Sequence, residues 1–167
     1  YGPANEEPPV GAKVINVATN KEMFDETKKE LKKKYDIVIM AAAASDYTPQ
    51  NTSKSKIKSD KESLVIRLKK APKIIDQVKK LQKDTLLIGF KAETDLSKNA
   101  LIKSAQKKMK GSGADIIIAN DIGKKYQKNT DYNQVFFVDG KKTTTSGWKK
   151  KEKIVKFIRK EIEKKLK

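Results

Sequence analysis

Short apolar runs alternate along the chain with longer amphipathic segments, and this alternation constrains the fold more than any other feature. Runs rich in Val and Ile predict strands, whereas apolar residues spaced three to four apart predict helices. Their alternation is typical of a doubly wound, Rossmann-like α/β domain with a mostly parallel sheet. The predicted strands are Lys13–Ala18, Asp36–Ala42, Leu64–Leu68, Thr85–Phe90, Asp115–Ala119 and Gln134–Val138.

Amphipathic segments between these runs predict four helices. Thr19 and Glu22 have the spacing of a capping box, so a helix is expected from there to about Lys34. Pro72 suits the first turn of a second helix. The third is expected from Leu96 to about Lys110. The fourth begins near Trp148 and carries an apolar stripe, Ile154, Val155, Ile158, Ile162 and Leu166.

The chain contains neither cysteine nor histidine. Disulfides, thiolate zinc sites, cysteine nucleophiles and Ser-His-Asp catalysis are therefore excluded. Any chemistry must use lysines, carboxylates, amides, backbone groups or a bound metal. The formal net charge is +18, which favours polyanionic partners, either nucleic acid or phosphorylated small molecules.

The sequence shows no apolar run of the roughly 20 residues that a membrane-spanning helix needs, and no signal peptide opens it. A cytoplasmic protein without a membrane partner is the default expectation.

Residues 48–63 form a polar, lysine-rich segment that is longer than most connections, which predicts a functional flap or a disordered loop. In an extended segment, Lys56 and Lys58 would project from the same face. Two ammonium groups there suit phosphates or the charge that develops in phosphoryl or nucleotidyl transfer. The alternative is a solvated charged loop, in which Lys54 would be equivalent to Lys56.

Polar and small residues follow two of the predicted strands, at the edge where open α/β sheets bind ligands. Asp46 comes after the Ala41–Ala44 run and is positioned to hold a metal ion or a ribose hydroxyl, or else to cap a turn. Gly89 permits close backbone approach, and Phe90 either stacks on a base or belongs to the core. Asn120 and Asp121 end another strand, where they contact a base or stabilise a loop.

Four ordered motifs resemble those of the phosphopantothenate–cysteine ligase family, the synthetase domain of coenzyme A biosynthesis. The family's Ala-Ala-Val-Ala-Asp-Tyr segment is similar to Ala41–Tyr47, and its Lys-Ile-Lys-Lys flap motif resembles Lys56–Lys58 followed by Ser59. Its Gly-Phe-Ala-Ala-Glu-Thr motif resembles Gly89–Thr94. Its Gly-Ala-Asp segment ending in Ala-Asn-Asp resembles Gly113–Asp121. Tyr1-Gly-Pro and Pro8-Pro9 fit the loop after the family's second strand.

Three departures from the family pattern affect the expected site. The family's first strand, glycine-rich turn and acyl-transfer asparagine would precede Tyr1, so the resemblance implies one synthetase domain, residues 1–167, that starts in mid-domain. Ala71-Pro-Lys-Ile74 stands where the family has Asn-Pro-Asp-Ile. Lys73 therefore replaces the family's aspartate, so a metal role for that aspartate does not carry over to this chain. Of the family's paired helix lysines, Lys108 matches the first, whereas Ser112 takes the second position, with Lys107 and Lys110 as substitutes.

The resemblance implies a ligase that activates 4′-phosphopantothenate with CTP, in preference to ATP, and then joins the acyl-cytidylate to cysteine. Pyrophosphate and CMP are released. Lys56 would be catalytic, and Asp46 would make a ribose contact or hold Mg²⁺. The implied nucleotide-binding residues are Met40, Ala41, Ala42, Asp46, Lys56, Pro72, Lys73, Ile74, Ile75, Phe90 and Lys108, with Lys58, Lys110 and Asn120 as additional candidates.

The resemblance also implies a homodimer formed through Tyr47–Leu68, in which an added strand pairs with a symmetry mate. FMN is expected only if a flavin-dependent decarboxylase is fused upstream. The competing interpretations are a lysine-rich nucleic-acid-binding protein and another Rossmann-type nucleotide enzyme. Against nucleic-acid binding stand the presence of only two arginines, Arg67 and Arg159, and the lack of any RRM, KH or helix-turn-helix pattern.

Overall fold

The computed structural model describes residues 7–60 and 62–166, so the Tyr1-Gly-Pro motif lies outside the described residues. The chain divides into two compact units. One, the flap unit, consists of Tyr1–Glu30 and Ala42–Ile74. The other, the sheet unit, consists of Leu31–Ala41 and Ile75–Lys167.

Strands and helices alternate as the sequence predicts. The helices are α1 (Asn20–Leu31), α2 (Ile75–Leu81), α3 (Lys98–Ser112), α4 (Lys124–Gln127) and α5 (Lys151–Glu163). The strands are β1 (Ile37–Met40), β2 (Tyr47–Pro49), β3 (Leu68–Lys70), β4 (Leu86–Glu93), β5 (Ile116–Asp121), β6 (Tyr132–Asn133), β7 (Val135–Val138), β8 (Thr143–Thr145) and β9 (Lys149–Lys150).

The main sheet lies in the sheet unit, with the strand order β1-β4-β5-β7-β8. The β1, β4 and β5 strands are parallel, and β7 and β8 continue the sheet as antiparallel strands. Gly140, at φ 80°, takes the left-handed conformation in the turn between β7 and β8. The predicted α/β class is confirmed, although the added antiparallel strand was expected in the flap region and not at β7 and β8.

Two apolar clusters cover the two faces of this sheet because side chains alternate along each strand. Ile117 and Ala119 of β5 pack with α2 and α3, whereas Ile116 and Ile118 pack with α5. This arrangement places helices on both faces, as the doubly wound prediction requires. In α5, Ile154 and Ile162 are buried but Val155 is exposed, and exposed Leu166 lies beyond the end of the helix, so the predicted apolar stripe is only partly correct.

Local signals placed several helix ends correctly. The Glu22 amide donates to the Thr19 hydroxyl at 3.1 Å, and the Thr19 amide donates back to the Glu22 carboxylate at 3.2 Å, so the capping box is confirmed. The backbone amides of Ala18 and Thr19 both donate to the Glu22 carboxylate and lower its pKa. Gly113, at φ 70°, ends α3. By contrast, α2 begins three residues after Pro72, and α5 begins three residues after Trp148.

Two strand predictions are wrong, and one needs correction. Lys13–Ala18 forms no strand, and of Leu64–Leu68 only Leu68 belongs to a strand, β3. Both segments lie in the flap unit, where β3 pairs only with the three-residue β2. The run at Asp36–Ala42 forms β1, but Ile39 is 52% exposed, because β1 is an edge strand of the main sheet rather than a strand covered on both faces.

Candidate functional site

The predicted site residues are divided between the two units, and each unit is described by itself. The sheet unit contains Met40, Ala41, Ile75, Phe90, Lys108, Lys110 and Asn120. The flap unit contains Ala42, Asp46, Lys56, Lys58, Pro72, Lys73 and Ile74.

In the sheet unit, Met40 and Phe90 lie close to each other on adjacent parallel strands, at the point where β1 ends. Met40 is the last residue of β1 and stands opposite Gly89 of β4. Phe90 follows, with 36% of its surface exposed, so it is not a core phenylalanine. At the end of β1, an accessible aromatic ring of β4 therefore lies near the backbone of Met40 and exposed Ala41, as a nucleobase site would need.

Gly89 has a packing role that the sequence did not indicate. A Cβ atom built at Gly89 would lie 2.6 Å from Cδ1 of Ile75 and 2.9 Å from Cδ1 of Ile117. The close approach at this glycine is thus made by core side chains. Because Ile75 is only 9% exposed, any contact it makes with a ligand would come from its backbone.

A carboxylate with two side-chain partners, which sequence reasoning missed, lies at the end of β4. The Ser104 hydroxyl donates to the Glu93 carboxylate at 2.5 Å, and the Lys91 ammonium lies 3.0 Å from it. These two groups lower the pKa of Glu93, with the hydroxyl bond the larger cause. The Ser104 hydroxyl and the Lys91 ammonium thus favour the ionised form of Glu93. The Lys91-x-Glu93 spacing was the available signal, since alternate strand residues share a face.

Lys108 is the predicted helix lysine that the structure holds in place. Its ammonium lies 3.8 Å from the carboxylate of Asp76 on α2, and its side chain is 23% exposed. Lys107 and Lys110 are exposed. Ser112 is buried and donates a 2.8 Å hydrogen bond to the Lys108 carbonyl, so a long cationic side chain would not fit at this position.

Asp121 stabilises a loop, which decides between its two predicted roles. Its carboxylate accepts hydrogen bonds from the backbone amides of Asp95, Leu96 and Gly123, at 3.1, 2.9 and 2.6 Å. The neighbouring Asn120 lies in β5 opposite Ala92 and is partly exposed, so its proposed contact with a base stays a prediction.

In the flap unit, Asp46 is an exposed carboxylate beside a cation. Its Oδ1 lies 3.8 Å from Nζ of Lys73, and the two side chains are 71% and 55% exposed. The Asp46 carbonyl accepts from the Ala71 amide at 2.9 Å, which fixes the backbone next to the β2–β3 pair. An exposed ion pair contributes little to stability, so Asp46 is available to a ligand.

The flap lysines Lys54, Lys56 and Lys58 are all exposed. Lys58 lines a cavity of about 540 Å³ together with Ile57 and Leu64. Pro72 and Ala42 are exposed as well, whereas Ile74 is 4% exposed and can offer a ligand only its backbone.

Within residues 7–60 and 62–166, no group of three or more acidic side chains is arranged to hold a metal ion. Mg²⁺ is commonly bound by one or two carboxylates together with substrate phosphates. Asp46 therefore fits an ion that arrives with a nucleotide, and does not fit a cage made by protein alone. In the same described residues, no helix is both long and apolar enough to cross a bilayer.

The sequence profile of the "DNA/pantothenate metabolism flavoprotein C-terminal domain" matches residues 1–166. The chain belongs to this family. It is 48% identical over 109 residues to the coenzyme A biosynthesis bifunctional protein CoaBC of Thermococcus kodakarensis, covering 65% of this chain and 27% of that protein. It is 37% identical over 157 residues to CoaBC of Methanocaldococcus jannaschii, covering 92% of this chain and 38% of that protein.

Solved structures of this family share the fold. The DNA/pantothenate metabolism flavoprotein from Streptococcus pneumoniae superimposes with a TM-score of 0.80 at 29% identity, covering 94% of this chain and 75% of that one. The C-terminal domain of a CoaBC protein gives 0.76 at 25% identity, covering 99% and 71%. This chain spans between about a quarter and two fifths of the two CoaBC relatives, so their full activity is not assigned by similarity alone.

Proposed function

We propose that this domain carries the ligase activity that joins 4′-phosphopantothenate to cysteine through an acyl-cytidylate, within coenzyme A biosynthesis. The family profile that spans residues 1–166 is the observation that carries the proposal. The absence of Cys and His is compatible with it, because neither step needs an enzyme thiol or imidazole.

The chemistry has two balanced steps. A carboxylate oxygen of 4′-phosphopantothenate attacks the α-phosphorus of CTP, forming an acyl–phosphate bond while the bond to pyrophosphate breaks. The amine of cysteine then attacks the acyl carbonyl, CMP leaves with the bonding electron pair, and the amine loses a proton. Both steps depend on positioning and on cations that neutralise phosphate charge.

Each unit has residues suited to one part of this task. In the flap unit, the exposed Lys56 ammonium would neutralise charge that develops on the phosphates, and Asp46 would bind a ribose hydroxyl or a Mg²⁺ ion. When bound with the nucleotide, Mg²⁺ would screen the phosphate charge. In the sheet unit, Phe90 would stack on the base. Lys108, positioned by Asp76 at 3.8 Å, would contact a phosphate.

The activity is tested with the polypeptide that carries this domain. Pyrophosphate should be released from CTP only when 4′-phosphopantothenate is present, and the cysteine adduct and CMP should appear when cysteine is added. A parallel reaction with ATP tests the nucleotide. Failure of pyrophosphate release together with DNA binding that persists above ~200 mM salt would instead support a nucleic-acid-binding protein.

The flap unit also supports a homodimer. Several apolar side chains are exposed there, and they border a cavity of about 840 Å³ that Pro49, Ile57 and Arg67 also line. Those apolar side chains are Leu64, Val65 and Ile66. Exposed apolar patches of this kind mark interaction sites, and a second copy would cover the patch symmetrically.

The dimer is tested with a matched pair of charge substitutions. Ile66→Glu should give a monomer at micromolar concentration, because it places a carboxylate in the centre of an apolar contact. Val155→Glu, at an equally exposed apolar residue of α5, should leave the mass unchanged. Sedimentation equilibrium measures both, and a monomeric wild-type protein would contradict the proposal.

A further inference from the structure

A cavity in the sheet unit is lined by none of the residues proposed above for the ligase site, and of the candidates from the sequence only Asp121, which stabilises a loop, borders it. Its volume is about 390 Å³, within the range of small-molecule pockets. It is bounded by the start of α3, by α4, and by β6 and β7. Its apolar wall comes from buried Leu101 and Phe136 and from half-buried Trp148 and Tyr126.

Hydrogen-bond donors are available to this cavity. Asn133 is 7% exposed and lines it. The side-chain oxygen of Asn133, Oδ1, accepts a hydrogen bond from the backbone amide of Gln134 at 2.7 Å, which fixes the orientation of the Asn133 carboxamide. Its carboxamide nitrogen donates to none of the described residues and is not fully enclosed, so it can donate to a molecule that enters the cavity.

Two lysines add positive charge on the same lining. The Lys125 ammonium lies 4.3 Å from the centre of the Trp148 ring, and the Lys98 ammonium lies 5.9 Å from the centre of the Phe136 ring. Both cations are therefore held against aromatic faces beside the cavity.

The carboxylates of the lining already have donors. Asp121 accepts three backbone amides, and Asp95 accepts from the Lys124 amide at 2.9 Å. What the lining offers a ligand is thus an amide donor, two ammonium groups and an aromatic wall. This combination suits a ligand with an anionic group and an apolar part.

We propose that this cavity binds a small organic anion. Its phosphate or carboxylate accepts from Asn133 and approaches Lys98 and Lys125, and its apolar part packs against Trp148. This site is independent of the proposed ligase chemistry, because none of its lining residues was assigned to CTP, 4′-phosphopantothenate or cysteine.

Trp148 is the single tryptophan of the chain, so its fluorescence reports on this cavity directly. The purified chain is titrated with phenyl phosphate, benzoate and inorganic phosphate. We expect a saturable change with phenyl phosphate or benzoate, and the stronger of the two identifies the anionic group. Inorganic phosphate, which has no apolar part, should bind at least about tenfold more weakly.

Asn133→Asp keeps the acceptor for the Gln134 amide but replaces the donor with a negative charge, so it should raise the dissociation constant about tenfold or more. Lys103→Gln removes an exposed lysine on α3 outside the cavity and should change the constant less than about twofold. Thermal unfolding monitors folding. If Asn133→Asp does not fold, Lys98→Gln, at an exposed residue, should weaken binding in its place.

The proposal is overturned if neither ring-bearing anion gives a saturable response. It is equally overturned if inorganic phosphate binds as tightly as phenyl phosphate, or if the cavity variant that folds binds like the wild type.

Discussion

The flap unit and the sheet unit use similar apolar residues in opposite ways. In the sheet unit, large side chains of β4, β5 and β7 are almost fully buried between helices. In the flap unit, Ala71 and Ile74 are the buried apolar residues among those described, whereas Val65 is 86% exposed. Its regular pairing is a three-residue ladder between β2 and β3.

This difference shows that apolar content alone does not decide burial. The sheet unit has strands whose two faces are both covered by helices. Side chains that alternate between the faces therefore all meet a packed layer. The flap unit lacks such a scaffold, and most of its apolar residues stay on the surface, where we propose that a second copy of the chain covers them. We therefore expect substitutions in the sheet unit to affect stability and those in the flap unit to affect function.

The largest expected effect tests this expectation directly. Phe137 is 2% exposed and lies in the cluster that faces α5. The substitution Phe137→Ala should lower the free energy of unfolding by about 3–5 kcal/mol. Val65→Ala in the flap unit should change it by less than about 0.5 kcal/mol in dilute solution. Urea denaturation measures both, and a flap substitution that costs as much as Phe137→Ala would remove the distinction.

The second prediction concerns catalysis in the flap unit. Lys56→Gln should lower turnover by about 10²-fold, because a charged donor to the transition state is lost, with the stability unchanged. Lys54→Gln, two residues away and equally charged, serves as the control and should have a far smaller effect. Steady-state pyrophosphate release decides between the two outcomes. Equal, small effects would favour a solvated charged loop.

The third prediction concerns pH and the sheet unit. Burial opposes the ionisation of Asp139, but the Lys142 amide, the Lys165 ammonium and the Lys141 amide lower its pKa to about 2. Because this value lies below the ordinary 3.8, the carboxylate stabilises the fold above pH 4, and this contribution is lost as the pH falls towards 2. The ionised Asp139 carboxylate thus contributes about 2 kcal/mol to the free energy of unfolding at neutral pH.

The pH effect is measured by urea denaturation of Asp139→Asn at pH 7 and pH 2.5. The substitution should be destabilising at pH 7 and much less so at pH 2.5. Asp131→Asn, at an exposed aspartate of the same unit, should have little effect at either pH. A loss that is equal at both pH values would contradict the role of the charge.

Local sequence signals predicted the sheet unit well. β-branched runs placed β1, β4, β5 and β7, and Gly113 marked the end of α3. In the flap unit, the Thr19–Glu22 box marked the start of α1. The same signals failed at Lys13–Ala18 and Leu64–Leu68. A run rich in Val and Ile favours an extended chain, but a strand also needs a neighbouring backbone with which to form hydrogen bonds.

Motifs in the sequence placed candidate residues at strand ends, but they did not show which side chains are held. The structure shows that Asp76 positions Lys108, that Ser112 is buried where a second lysine was expected, and that the space at Gly89 is filled by Ile75 and Ile117. These partners lie on different elements, so no local spacing could indicate them.

The sequence by itself determined the α/β class, the family, and a chemistry without thiols or imidazoles, because composition, periodicity and ordered motifs are properties of the chain alone. Only the tertiary structure decided which apolar residues are covered, which lysine has a carboxylate beside it, and that Asn133 and Trp148 line one cavity. Those outcomes depend on contacts between residues far apart in sequence, and packing in three dimensions sets them.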